Sequence, residues 1–127
     1  MTIGQAEPHL LDTSAVVKLI RGGTIALPSA CVSYVTIGEL RFGAEHCNDP
    51  AREHARINRV IGSARVLQLS DQTLLHYAKI CAQLARMGRR MRDNDLWTAA
   101  IAVEFNLPLY ADDKHFEWIE ELNYIRC

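Results

Sequence analysis

The sequence predicts a three-layer α/β/α domain with a central, mainly parallel sheet. Three observations carry that prediction. Short apolar runs alternate with helix-patterned stretches from one end of the chain to the other. The runs are apolar enough to be covered on both faces, as parallel strands are. The 127 residues make the size of one domain, with no repeat, low-complexity stretch or linker to divide residues 1–127.

The elements follow in order. HLLD at 9–12 is a short apolar strand ending in an acid. SAVVKLI at 14–20 has helical spacing and stops at Gly22-Gly23. ACVSYVT at 30–36 is β-branched and aromatic and reads as a strand, with IGELRFGAEH at 37–46 as the next helix. After the break at Asn48-Asp49-Pro50, REHARINRVIGSA at 52–64 is an amphipathic helix and RVLQL at 65–69 a short strand. Ser70 or Asp71 caps a long helix at 73–87, ended by Gly88. Its Leu74, Tyr77, Ala78, Cys81, Leu84 and Ala85 form an apolar face, read as core first and as a homodimer face second. Asp93 is the expected cap of NDLWTAAIAVEFN at 94–106. LPLYA at 107–111 is a strand, KHFEWIEEL at 114–122 a helix, and NYIRC an edge strand.

Composition narrows the function. Fourteen Lys and Arg stand against fifteen Asp and Glu, a net charge of −1, so nothing draws nucleic acid in general; contact with it must come from a local basic patch or a bound metal. Cys31, Cys47, Cys81 and Cys127 form no CxxC pair and read as reduced thiols. The first residues lack a basic region followed by an apolar stretch, so a leader is not expected and the chain reads as cytoplasmic. No apolar stretch approaches the ~20 residues of a membrane span.

The acids carry the chemistry. Ligands of open α/β sheets bind beyond the carboxyl ends of the strands. Asp12 ends the first strand, Glu39 opens the helix after the second, and Asp112 and Asp113 end the LPLYA strand. Asp93 and Asp95 open a helix that packs nearby. Two like charges 4 Å apart cost about 4 kcal/mol at an effective dielectric near 20, so such a cluster needs a cation. An all-oxygen donor set suits Mg²⁺ or Mn²⁺. Each acid has an ordinary alternative. Asp12 can cap the following helix, although Thr13 or Ser14 can do so instead. Glu39 can be a surface residue, Asp112 and Asp113 turn residues, and Asp95 can favour the positive end of its helix. Asp95 stands out, because Leu96, Trp97, Ala99, Ala100, Ile101 and Val103 make its helix apolar nearly all round, and a buried carboxylate needs a partner.

LLDTSAVVKLI, TIGELRFGA and NDLWTAAIAVEFNLPLYADDKHF, in that order over residues 9–125, together resemble the PIN-domain nucleases, specifically the VapC-type toxins of bacterial toxin–antitoxin pairs. The resemblance implies a parallel sheet with helices on both faces, a Mg²⁺- or Mn²⁺-dependent endoribonuclease, inhibition by a VapB-type antitoxin, and a homodimer within a larger assembly. By motif position Asp12, Glu39 and Asp95 match the first three family acids. The fourth fits Asp113 best, with Asp112 one residue away. Thr13 matches a hydroxyl that supports the first acid or a metal-bound water. Thr98 departs from the pattern at a position that is usually apolar. The expected chemistry is attack of an activated water on a phosphodiester of single-stranded or looped RNA.

Other features are weighed beside this. Arg86, Arg89, Arg90 and Arg92 crowd before the Asp95 helix, where they can grip RNA phosphates, meet an acidic antitoxin segment, or simply be solvated. His9 and His115 read as surface residues near the acids, Phe116 and Trp118 as packing on the sheet, and Trp97 as core or dimer interface. A receiver-like phosphorylation module would use Lys114 but leaves Glu39 and Asp95 without purpose. A dehalogenase-like phosphatase would want a second acid where Ser14 stands. A catalytically silent binding protein of the same fold is the remaining alternative.

Overall fold

Consecutive Leu10 and Leu11 are both fully buried, yet they belong to different hydrophobic clusters. Side chains alternate across a strand, so their strand is covered on both faces. The computed structural model, which describes residues 7–23 and 29–127, has this strand at the centre of its sheet. The reading of the first residues as leaderless falls on 1–6, outside the described residues.

The strands are β1 (His9–Leu11), β2 (Ala30–Ser33), β3 (Arg65–Leu67), β4 (Leu109–Ala111) and β5 (Tyr124–Arg126). They lie in the order β3-β2-β1-β4-β5, and every neighbouring pair is parallel. β5 is an edge strand, as its sequence predicts. The order differs from the 2-1-3-4-5 order of receiver-type folds, so the receiver-like reading is overturned. The α-helices are α1 (Thr13–Arg21), α2 (Tyr34–Glu45), α3 (Pro50–Ile61), α4 (Asp71–Arg86) and α5 (Asp93–Glu104). Val16, Leu40, Ile57 and Val60 of α1 to α3 pack with Leu11 and Val32 on one face of the sheet. Ile80, Leu84, Ala99 and Ile101 of α4 and α5 pack with Leu10 and Leu109 on the other. The three layers are those the sequence predicts.

Several boundaries move, each for a local reason. The second strand ends at Ser33, and Tyr34, Val35 and Thr36 are helical. Ser33 caps that helix by accepting from the Thr36 amide at 3.1 Å, so local capping overrides β propensity. The helix expected at 52–64 begins at Pro50, capped by Asp49, with proline at a first-turn position that lacks no needed donor. Asp93 does not cap α5; it is the first helical residue, Arg92 precedes it without a side-chain cap, and Asp93 accepts from the Tyr77 hydroxyl at 3.1 Å. The helix expected at 114–122 is one 3₁₀ turn, Lys114–Trp118, which places Phe116 in the core before the chain turns into β5. The buried face of α4 is Thr73, Ile80 and Leu84. Leu74 is 50% exposed and Ala78 and Ala85 lie outside, so the face predicted as core is only partly so. Gly88 ends α4 at φ +66°, a conformation that other residues rarely adopt, with the Arg89 amide on the Leu84 carbonyl at 2.9 Å.

His9 also departs from expectation. It is buried, edge-on to the Tyr110 ring, and starts β1, so it sits at the opposite end of the strand from the acids. Trp97 is half-buried and stacks on Tyr77 with ring centroids 3.7 Å apart. Phe116 is core, and Trp118 packs partly against the same cluster. Cys31 is buried, and all four cysteines are free thiols. Among the described residues no helix is long and apolar enough to cross a membrane.

Candidate active site

The chain leaves β1 toward β2 and β3 on one side, then crosses back to add β4 on the other. The order therefore reverses between β1 and β4, and the crevice beyond that point is where such sheets bind ligands. Asp12 follows β1 and Asp112-Asp113 follow β4. The amide of Asp12 donates to the Tyr110 carbonyl at 3.0 Å, which ties the two strand ends together.

Asp12 is 5% exposed and serves as N-cap of α1. Its Oδ2 accepts from the Ser14 hydroxyl at 2.8 Å and from the Ser14 amide at 3.4 Å. Its Oδ1 is buried without a hydrogen-bond partner. The cap and the candidate ligand are thus one residue using two oxygens, and neither Thr13 nor Ser14 replaces it as cap. Burial pushes the Asp12 carboxyl above its ordinary value, the Ser14 hydroxyl pulls it back, and the charge of Asp95 pushes it up again. Among the acids, the Thr13 side chain serves Glu39 rather than Asp12. Its hydroxyl donates to Glu39 Oε1 at 2.6 Å, fixing the side chain from α2 across to α1. Glu39 lies in the second turn of α2, because that helix starts at Tyr34 rather than at Ile37.

Asp95 is 6% exposed in the first turn of α5, and Leu96 and Thr98 to Ala102 of the same helix are buried. Burial raises its pKa. The hydrogen bond and charge of Arg92 oppose that rise, and the charges of Asp113 and Glu39 add to it. Asp95 is therefore the electrostatic centre of the group: it feels Glu39 and Asp113 directly, and Asp12 feels it. Asp113 accepts from the His115 amide at 3.0 Å, and the His115 ring lies 3.1 Å from the same oxygen. His115 stays partly exposed beside Asp113, close to where the sequence reading put it.

Asp112 faces elsewhere. Its carboxylate is 2.9 Å from Lys18 Nζ and 3.3 Å from Arg126 Nε, and its pKa is lowered by those two cations, Lys18 first. Its amide donates to the Ser14 hydroxyl at 2.9 Å. Ser14 therefore joins Asp12 to the backbone after β4, and Lys18 and Arg126 hold the neighbouring acid away from the cluster. Sequence reasoning missed these three roles. Ser14 was legible as a cap candidate, but the reach of Arg126 depends on β5 lying beside β4.

Arg89, Arg90 and Arg92 line one open cleft of about 830 Å³, and Arg86 stands outside it. Arg92 lies 3.4 Å from Asp95 Oδ2 through Nε and 3.7 Å from Glu39 Oε2 through Nη2. Arg90 lines an open cleft of about 420 Å³ with Arg92, Asp95, Asp113 and His115. Arg89 lies over the Trp118 ring, 4.6 Å from its centroid. Arg86 sits apart, by a cleft shared with Glu120 and Glu121.

Among the described residues no three Asp, Glu, His or Cys side chains stand close enough to form a finished metal cage. The group nevertheless fits a hard divalent cation. Its donors are all oxygens, Asp12 offers a buried oxygen with no partner, and Glu39 and Asp95 already share one positive group in Arg92. Thr98, the one departure from the family pattern, is fully buried in α5, and its hydroxyl makes no hydrogen bond to these acids.

Comparison with known proteins matches the PIN domain over residues 9–122. The chain belongs to the PIN-domain family. It is 30% identical over 127 residues to ribonuclease VapC1 of Haemophilus influenzae, covering 91% of this chain and 95% of that one. It is also 30% identical over 113 residues to ribonuclease VapC5 of Mycobacterium tuberculosis, covering 84% of each. Among solved structures it is similar to the DNA-bound VapBC complex of Salmonella typhimurium, with a TM-score of 0.85 and 25% identity over 94% of this chain and 98% of that one. The fold and family implied by the three sequence blocks are both borne out.

Proposed function

We propose that this PIN-domain chain is a metal-dependent endoribonuclease and the toxin of a bacterial type II toxin–antitoxin pair, restrained by a VapB-type antitoxin. The observation that carries the reading is the convergence of four carboxylates from four distant segments on the switch point of the sheet, two of them buried and raised in pKa. Its relatives named as VapC ribonucleases support the activity, and the VapBC complexes among its structural neighbours support the partner. The family resemblance also implies a homodimer of this chain within the larger assembly.

Asp12, Glu39, Asp95 and Asp113 would hold Mg²⁺ or Mn²⁺. When bound, such a cation would supply an activated water and stabilisation of the charge on a phosphodiester. The chain's own residues set the stage. Ser14 orients Asp12 through one oxygen and leaves the other free. Thr13 fixes Glu39, so this acid enters the site without a search over rotamers. Arg90, on the wall of the cleft, supplies positive charge for the phosphate of an RNA strand. Arg89 lines a neighbouring cleft with Arg90 and Arg92 and can extend that charge along the strand, and Arg86 lies on the wall of a separate cleft.

The test is RNA cleavage by the purified chain with Mn²⁺, with and without EDTA. The reading predicts cleavage that stops with EDTA. Cleavage that continues at full rate in EDTA rejects the metal, and no cleavage of any RNA in Mn²⁺ rejects the activity.

A further inference from the structure

Arg92 is set apart from the other arginines by what it touches. Its guanidinium reaches Asp95 at 3.4 Å and Glu39 at 3.7 Å, two acids brought together only by the fold. It is the residue just before α5, so its backbone is held by the helix: the Leu96 amide donates to its carbonyl at 3.1 Å. Its side chain is 76% exposed, whereas the Asp95 side chain it meets is 8% exposed. The acids are therefore held in the fold while the cation beside them lies on the solvent side.

We propose that Arg92 is the resident counter-ion of the acid cluster. It neutralises Glu39 and Asp95 while no metal is bound, and it yields its place to a divalent cation. The inference rests on the metal-binding reading above and adds a competitor within the chain itself. Magnitude supports the order of events. An exposed ion pair shifts an equilibrium by roughly fivefold at most. A hard divalent cation draws on several carboxylates together, including the Asp12 oxygen that Arg92 does not reach and that has no partner. Arg92 is strong enough to hold the unliganded site together and too weak to keep a metal out. Once displaced, its exposed guanidinium lies on the wall of the cleft beside Arg90, where a phosphodiester would approach.

Calorimetric titration with Mn²⁺ alone tests this, using the parent chain, Arg92→Gln, Arg92→Lys and Asp12→Asn. The competitor account predicts that Arg92→Gln binds Mn²⁺ roughly three- to tenfold more tightly than the parent, as removal of one or two exposed pairs allows. It also predicts a lower melting temperature for Arg92→Gln in EDTA, with the difference from the parent shrinking when Mn²⁺ saturates both. Arg92→Lys keeps the charge and should stay near the parent, which separates competition from loss of structure. Equal or weaker Mn²⁺ binding by Arg92→Gln overturns the inference. The parent and Asp12→Asn control reads the metal reading separately. If the parent binds Mn²⁺ and Asp12→Asn does not, the site stands whatever Arg92 does. If neither the parent nor Arg92→Gln binds Mn²⁺, both claims fall.

Discussion

Asp112 and Asp113 are neighbours in the chain and live in opposite surroundings. Asp112 meets Lys18 and Arg126, and its carboxyl is held below the ordinary carboxylate range. Asp113 turns toward Asp95 and adds negative charge to an acid that is already buried. The same contrast extends to the regions around them. The Asp112 junction joins α1, β4 and β5, with two cations, Lys18 and Arg126, on one carboxylate. In the cluster of Asp12, Glu39, Asp95 and Asp113, Arg92 meets Glu39 and Asp95, the His115 ring lies beside Asp113, and a buried Asp12 oxygen has no hydrogen-bond partner. The first region holds the fold together, and the second is the one the proposed function assigns to a cation. An acid at a strand end can do either, and its cationic neighbours decide which.

That comparison can be broken in several ways. The largest effect is expected from Asp12→Asn. On the proposed reading the change removes a ligand of the cation and with it several kcal/mol of transition-state stabilisation, so RNA cleavage should fall by at least about a hundredfold. The circular dichroism melt in EDTA should not fall with it. A smaller effect is expected from Thr13→Val, which frees Glu39 without removing it. Loss of an outer partner of a ligand typically costs 10–100-fold in metal affinity or activity. Mn²⁺ titration beside cleavage rates checks this, and an unchanged affinity would show that Glu39 needs no anchor.

A change of pH should separate the two regions without any mutation. In the metal-free protein Asp12 and Asp95 hold their protons to higher pH than the ordinary 3.8, mainly because they are buried. Between 3.8 and those raised values the folded chain binds more protons than the unfolded one. The cluster's contribution therefore makes the protein more stable as pH falls through that window. Asp112 has the opposite sign. Its contribution is present above 3.8 and is lost as pH falls below it toward its lowered value. Urea unfolding in EDTA across mildly acid pH, with Asp12→Asn as reference, should show the stabilising trend flatten in the variant. The smallest effect belongs to Asp112→Asn, which should lower the melting temperature slightly and leave cleavage near the parent rate.

Much of this was legible in the residues. The buried strands, the helix order and the three layers follow from apolar runs such as HLL and LYA and from helix spacing. Asp95 was legible because its helix offers no polar face in which to hide. The boundaries that moved did so where one contact outweighs propensity. Ser33 starts a helix inside a β-branched run, and Phe116 enters the core from a single 3₁₀ turn. The division between Asp112 and Asp113 was not legible, because it depends on β5 lying next to β4 and carrying Arg126. Nor was the buried start of β1 at His9, since only the strand's direction shows that it points away from the acids.

The most direct measurement is single-turnover cleavage of one RNA by the parent chain, Asp12→Asn and Asp112→Asn, each in Mn²⁺ and in EDTA. The parent and Asp112→Asn should cut at similar rates in Mn²⁺ and stop in EDTA, while Asp12→Asn should be inactive in both. Cleavage by Asp12→Asn at the parent rate, or loss of activity in Asp112→Asn to the same extent as in Asp12→Asn, would contradict the division between a receiving cluster and a holding junction.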